Sequence, residues 1–347
     1  MSKKILHVCN ADNFIPPFID FVEEHFGLDD HFFWLNGDFD RYSVKQEKSN
    51  YKVKRTKAGQ VRGLLKLVQL MQSSEKVILH GLFNPRIVLI LFLMPWLLKK
   101  CYWAIWGGDL YIYKLGERNL KWKVKEFFRR SVIKKIGHLV TYIEGDVELA
   151  RKWYGARGEY HECLGYLSNL YSPHNVCVEK NSHINILIGN SADPNNNHIE
   201  AFEMLLPFKE EGVKIYLPLS YGDKKYAQKV IKMGYDWFGD KFKPLTEFMP
   251  FDEYLSLLCS IDIAIFNHRR QQAMGNTITL LGLGKTVYIR PEVSQWKFFM
   301  DKEIIVGDIT KLSDLKLLDV ENTVGNVREY FSKAKLIQQW SLLFDGK

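Results

Sequence analysis

Residues 248–291 run through three pieces in fixed order: a Pro-marked loop and helix at 251–260, a buried strand at 261–266, and a polar, glycine-bearing turn that opens a second helix and strand. The run DIAIF from Asp262 is too short for a helix and apolar on both faces, the pattern of a parallel-sheet strand covered on both sides. Open α/β sheets bind ligands beyond the carboxyl ends of such strands, and this one ends in polar residues at 267–272. Gly275, Asn276 and Thr277 then precede the apolar helix ITLLGLG, whose free backbone N–H groups and positive end face anything held above the strand. A diphosphate suits that position. Arg269 and Arg270 can add charge-assisted hydrogen bonds to it, and Gln271 and Gln272 can reach sugar hydroxyls. A plain strand-turn-helix connection with solvated arginines carries the same local signature, so the rest of the chain must decide.

Strand-like and helical runs alternate from the start: KILHV, FIPPFIDFVEEHF and HFFWL, then a helix at 64–71, KVILH at 76–80, a helix from about Asn84, and YWAIW at 102–106. HLVTYI and EYHECL follow, and a polar stretch at 172–183 reads as a linker. The alternation then restarts with INILIGN, a helix from about His198, VKIYLPL and a helix from Lys224. This pattern predicts parallel sheets covered on both faces. With 347 residues the chain exceeds one ordinary core. The expected architecture is α/β with two Rossmann-like domains around a cleft: 1–178, then 184–323, with a final helix in 324–347 that crosses back to the first domain.

Five scattered cysteines, none in a CxxC pair, argue for a reducing compartment and against a disulfide framework or zinc site. The start MSKKILHVCN lacks the pattern of a secretory leader. The longest apolar run, at 87–98, is twelve residues with Pro95 inside it, short of the roughly 20 needed to span a bilayer. The net charge of +8 is uneven, because residues 1–180 carry +9 and the remainder −1. Nine bases and two acids fall between Lys114 and Lys135, where Trp122, Val124, Phe127 and Phe128 alternate with Lys121, Lys125, Arg129, Arg130, Lys134 and Lys135. Such a segment fits an amphipathic helix lying on an anionic membrane, or equally a solvated helix whose aromatics enter the core. No nucleic-acid motif accompanies the charge.

Three further polar clusters sit at predicted strand ends. HGLFNP at 80–85 offers His80 and Asn84; GGDLY at 107–111 offers Asp109; GNSADPNNNH at 189–198 offers Asn190, Ser191, Asp193, Asn197 and His198. Each alone reads as a turn or a helix cap, yet all of them, like 267–277, fall at carboxyl strand ends. Group transfer from a diphosphate needs the leaving group stabilised and the acceptor hydroxyl deprotonated. Asp109 is the first candidate base and His80 the second. CNADNF after the first strand has no GxGxxG turn, and no GxxxxGK[ST] loop occurs, which disfavours dinucleotide and P-loop readings. Asp38 and Asp40 form a lone DxD, a weak metal signal.

HGLFNP, WAIWGGDLY, ILIGNSADPNNNH, LPLSYGD and RRQQAMGNT, with the helix FDEYLSLLCSIDIAIF, resemble the TDP-N-acetylfucosamine:lipid II N-acetylfucosaminyltransferases, glycosyltransferase family 56. The resemblance runs in order from about residue 76 to 300 and is looser over the first 75 residues and the basic segment. It implies the GT-B fold and metal-independent, cofactor-free transfer of a 4-acetamido-4,6-dideoxyhexose. The implied donor is a TDP-sugar. The implied acceptor is an undecaprenyl-diphosphate-linked saccharide of enterobacterial common antigen type, met at the cytoplasmic face of the inner membrane. Carried over by position, Gly189, Asn190 and Ser191 line the phosphates from one side, and Gln271, Gln272, Gly275 and Thr277 meet diphosphate and sugar from the other. Phe248 and Met249 hold the base. The other readings are a GT-B-fold sugar-nucleotide epimerase or hydrolase, and a non-catalytic peripheral membrane protein that binds nucleotide sugars.

Overall fold

A computed structural model describes residues 5–37, 50–53, 56–115, 118–173 and 182–345; Asp38, Asp40, Cys177 and most of the expected linker lie outside the described residues. The chain divides into two compact units, Met1–Ser168 with Lys333–Lys347, and Asn169–Ser332.

In the first unit seven strands form one parallel sheet: β1 (Ile5–Asn10), β2 (His31–Asn36), β3 (Asn50–Lys52), β4 (Lys76–His80), β5 (Cys101–Ala104), β6 (His138–Val140) and β7 (Glu159–His161), in the order β3-β2-β1-β4-β5-β6-β7. The connections carry α1 (Ile15–Phe26), α2 (Lys57–Ser73), α3 (Pro85–Leu93), α4 (Gly108–Leu115), α5 (Leu120–Lys135) and α6 (Glu144–Tyr154). Local chemistry sets their ends. Thr56 caps α2 by accepting from Gly59 N, and Asn84 caps α3 by accepting from Arg86 N, with Pro85 supplying the first-turn residue that needs no donor. Gly155 ends α6 at φ 69°, a left-handed turn natural to glycine. The core includes the fully enclosed Trp34 and Trp103; Trp34 satisfies its indole N–H on the Gly63 carbonyl at 3.0 Å.

The second unit repeats the plan with β8 (Ile184–Ile188), β9 (Val213–Pro218), β10 (Phe242–Leu245), β11 (Ile263–Phe266), β12 (Thr286–Ile289) and β13 (Gly307–Asp308), ordered β10-β9-β8-β11-β12-β13 and parallel throughout. Its helices are α7 (His198–Leu205), α8 (Lys224–Phe238), α9 (Phe251–Ser260), α10 (Met274–Gly282), α11 (Ser294–Asp301) and α12 (Glu321–Tyr330). The apolar INILI and IAIF runs are central strands buried on both faces as such positions require, while VKIYLP beside them alternates buried residues with the partly exposed Lys214 and Tyr216.

The terminal helical stretch is two helices. α12 ends at Tyr330, and α13 (Lys333–Asp345) begins after Ser332, a residue type that favours helix caps over helix interiors. α13 belongs to the first unit. There Trp340 is enclosed and donates to the Gly165 carbonyl at 2.9 Å, Gln339 accepts from Leu164 N at 2.9 Å, and Lys76 donates to the carbonyls of Leu343 and Phe344 at 2.8 Å each.

Each sheet reverses its strand order once, between β1 and β4 in the first unit and between β8 and β11 in the second. Chain connections leave in opposite directions at such a point, so the loops part and leave a crevice beyond the strand ends.

Candidate functional site

At the first reversal, the ends of β1 and β4 border a pocket of 440 Å³ lined by Asn10, Ala11, Asp12, His80, Phe83, Asn84 and Trp106. Its floor is a buried hydrogen-bonded chain. Tyr166 Oη lies 2.8 Å from Trp106 Nε1 and 2.6 Å from His80 Nδ1, His80 Nε2 lies 3.0 Å from His7 Nδ1, and His7 Nε2 lies 2.9 Å from His31 Nδ1. The indole donates to Tyr166, and the histidine contacts are satisfied by a run of single protons in either direction, Tyr166 to His80 to His7 to His31 or the reverse. Burial pushes His80 down to about 3 and drives His7 well below the usual imidazole range, so both are neutral at pH 7. Both nitrogens of His80 are therefore occupied.

Asp109, expected as the acceptor base, is fully enclosed. Oδ2 accepts from Leu82 N at 2.8 Å and Trp103 Nε1 at 2.6 Å, and Oδ1 accepts from Trp106 N and Leu110 N at 3.0 Å each. Four donors fill the carboxylate and leave no lone pair for a substrate proton. Asp109 instead ties the ends of β4 and β5 to α4. Asp12 is the carboxylate that opens on the pocket; it is half-buried, accepts from Phe14 N at 3.2 Å, and is raised above the ordinary aspartate range, chiefly by burial. CNADNF held it in plain view, but only the position after β1 at the strand reversal sets it apart from other aspartates.

At the second reversal, the β8 and β11 ends and the N-terminus of α10 come together. Gln272 Nε2 donates to Asn190 Oδ1 at 3.0 Å, and Arg270 pairs with Asp193 at 3.2 Å. Ala273 holds φ 58° before α10 and no side chain caps that helix, so its first N–H groups remain available to a ligand. Gln271, Gly275 and Asn276 are partly exposed beside it. A pocket of 240 Å³ adjoins, lined by Asn190, Tyr221, Leu245, Phe248, Met249, Tyr254 and Asn276 among others. Asn276 donates to Tyr254 Oη at 2.8 Å, and Asn190 to Tyr221 Oη at 3.1 Å.

Other expected ligand residues sit behind this surface. Thr277 is enclosed, its Oγ1 donating to the Ala273 carbonyl at 2.9 Å within the helix. Ser191 is buried and accepts from Asn196. His198 is enclosed beneath Gly189, where a Cβ would stand 2.6 Å from its Nε2, and burial lowers it to about 4. Arg269 is exposed and pairs with Glu200 at 3.5 Å, which Arg290 also engages at 3.1 Å. Asn196 and His268 were not singled out from the sequence, yet they shape the loop: enclosed Asn196 accepts from Asn190 N at 3.0 Å and from His268 Nε2 at 2.7 Å. Nothing in their spacing distinguishes them from turn residues.

The basic segment is also reordered. α5 buries Glu126, Arg129, Val132 and Ile133, and Arg129 donates to the Asp109 carbonyl, so this arginine faces the core rather than a membrane. Trp122 is partly buried and donates to the Ile112 carbonyl at 3.3 Å. Lys121, Lys125, Arg130, Lys134 and Lys135 are exposed. Between them Leu120, Val124 and Phe127 form an exposed apolar stripe, and Phe127 lies near Phe92 of α3, whose Leu89 and Leu93 are exposed as is the following Trp96. Among the described residues no helix is long and apolar enough to cross a membrane.

The family described as 4-alpha-L-fucosyltransferase, glycosyl transferase group 56, matches residues 46–329. Among solved structures, HepE of Anabaena in complex with UDP and glucose is similar at TM-score 0.67 and 10% identity, covering 99% of each chain. Sucrose-phosphate synthase from Thermosynechococcus elongatus is similar at TM-score 0.63 and 10% identity, covering 99% of this chain and 98% of that one. WaaG, a glycosyltransferase involved in lipopolysaccharide biosynthesis, is similar at TM-score 0.59 and 10% identity, covering 99% and 100%. The fold is GT-B.

Asp109→Asn would turn an amide N–H₂ toward two existing donors. It is expected to cost about 1–3 kcal/mol, read as an earlier urea midpoint at unchanged slope; an unchanged midpoint would contradict the tying role.

Proposed function

Because this chain belongs to glycosyltransferase group 56, we propose that it moves a 4-acetamido-4,6-dideoxyhexose from a TDP-sugar to an undecaprenyl-diphosphate-linked saccharide. The setting is bacterial surface polysaccharide synthesis of enterobacterial common antigen type, at the cytoplasmic face of the inner membrane. The chain is a glycosyltransferase; its donor, acceptor and location are the proposal. The observation that carries it is the uncapped α10 N-terminus at the β8/β11 reversal, flanked by Arg270 and by the pocket at Phe248 and Met249. Diphosphate charge meets backbone N–H groups and a guanidinium there without a metal. The adjoining pocket offers Phe248, Met249 and Leu245 to the flat base and Asn190 and Asn276 to its polar edge. HepE, a structural neighbour, binds UDP and glucose, which fits a nucleotide-sugar donor here.

In the reaction the anomeric carbon's bond to the diphosphate oxygen breaks, TDP leaves with the electron pair, and the acceptor oxygen bonds to that carbon as its proton passes to a base. Asp12 is the group we assign to that proton, because its carboxylate opens on the first unit's pocket whereas the carboxylate of Asp109 and both ring nitrogens of His80 are engaged. The exposed apolar stripe on α3 and α5, edged by Lys121, Lys125, Lys134 and Lys135, fits the interface of an anionic bilayer. It would bring the enzyme to a lipid-anchored acceptor.

Calorimetry with TDP, UDP and GDP, with and without magnesium, should give TDP-selective, magnesium-independent binding that weakens about tenfold or more in Arg270→Ala. Absence of nucleotide binding would refute the donor site. Asp12→Asn should keep TDP binding and lose about 10²–10⁴ in turnover; unimpaired turnover would remove Asp12 from the mechanism.

For the membrane, Leu93→Ser, Trp96→Ser and Phe127→Ser combined should weaken sedimentation with anionic vesicles by about tenfold or more, given roughly 1.5–3 kcal/mol per fully buried large apolar side chain. Equal sedimentation of wild type and variant would contradict the docking face.

A further inference from the structure

We propose that His138, Glu159 and His161 form a zinc-class divalent-cation site that fastens the edge strand β7 to β6. The sheet register brings the three together. His138 opens β6 and is paired with Glu159, and His161 lies two residues beyond Glu159, so all three side chains project from one face. Tyr102, paired with His138 on the other side, stacks on the imidazole at 3.9 Å and 6°, which fixes the plane of that ring.

The atoms that would ligate are already grouped. His138 Nδ1 is 2.9 Å from His161 Nε2, and Glu159 Oε2 is 3.6 Å from the first and 3.9 Å from the second. A triangle with those sides has a circumscribed circle of radius about 2.0 Å, the bond length of zinc to imidazole nitrogen and carboxylate oxygen. An ion slightly above that plane completes three corners of a tetrahedron, and the fourth corner is left to water, since Glu159 is 69% exposed. Two imidazoles and one carboxylate suit zinc, cobalt, nickel or copper rather than magnesium or calcium.

The neighbouring groups favour ligation with one exception. Burial holds both histidines below the ordinary imidazole range, leaving them neutral with a lone pair to give. His138 also bonds the Lys99 backbone, the kind of outer contact that orients a ligating imidazole. His161 can keep its single proton on Nδ1 while Nε2 takes the ion, so ligation by the two rings releases no proton. The exception is Lys76, whose positive charge is felt at both histidines. Its ammonium is drawn to the Leu343 and Phe344 carbonyls. β7 is three residues long and, among the described residues, pairs only with β6, so a cation linking the two would restrain the edge of the sheet. Neither the donor pocket nor the residues assigned to transfer take part.

The test titrates metal-stripped, full-length protein with Zn²⁺ against a chromophoric chelator, and separately with Co²⁺. One Zn²⁺ per chain is expected, with about tenfold or greater weakening in His138→Ala and in His161→Ala and no change in His25→Ala, a histidine beside Glu24 elsewhere on the unit. Co²⁺ should give the intense visible bands of a four-coordinate site. The exposed Glu159→Gln keeps the test open if a histidine variant fails to fold, and it too should weaken binding. Binding only above about 0.1 mM, or binding indifferent to all three substitutions, would overturn the site.

Discussion

Each sheet winds outward from a single reversal of strand order, and both candidate sites follow from that constraint. Parallel strands cannot be joined by tight turns, so every connection crosses a face of the sheet. Where successive crossovers leave in opposite directions, the loops above the strand ends separate. The β1/β4 reversal opens the pocket that holds Asp12, and the β8/β11 reversal opens the space beside α10.

Holding those loops apart needs buried polar ties, and these occupy residues that look reactive in a linear sequence. In the first unit Asp109 accepts four donors, and His80 is one link of a chain from Trp106 to His31. In the second, Asn196 and His268 shape the loop after β8, and Glu200 gathers Arg269, Arg290 and Asn267. A buried acceptor left unpaired costs more than an ordinary hydrogen bond contributes, which explains why the enclosed Asp109 is met by four donors. The consequence for chemistry is that the groups still able to meet a ligand are the partly exposed ones: Asp12, Asn190, Arg270, Gln272 and the backbone of α10.

Much of this architecture was legible in the sequence. Apolar runs such as KILHV and INILI, alternating with helical segments, marked the central strands because these are buried on both faces, and Pro85 and Lys224 marked helix starts. The short edge strands β3, β10 and β13 were not marked, since NYK, FKPL and GD carry no apolar run that stands out from the residues around them. Within the site, composition pointed to the right loops but not to the right atoms. Thr277 and Gln272 are both polar residues near one turn, yet helix phase turns the first into the core, while the second, in the turn before α10, faces Asn190. Arg129 and Arg130 are adjacent and chemically alike, and one is buried while the other is exposed. Pairings such as His7 with His80 join residues far apart in the chain, and register alone creates them.

The most direct measurement is a backbone hydrogen-exchange footprint of TDP on the full-length protein. The account predicts slowed exchange in the loop after β8 at 189–197, in the segment 245–254, and at 271–277 leading into α10, with β6 and β7 unaffected. Protection confined to the first unit, or absent from 271–277 at saturating TDP, would contradict the assignment of the α10 N-terminus as the diphosphate site.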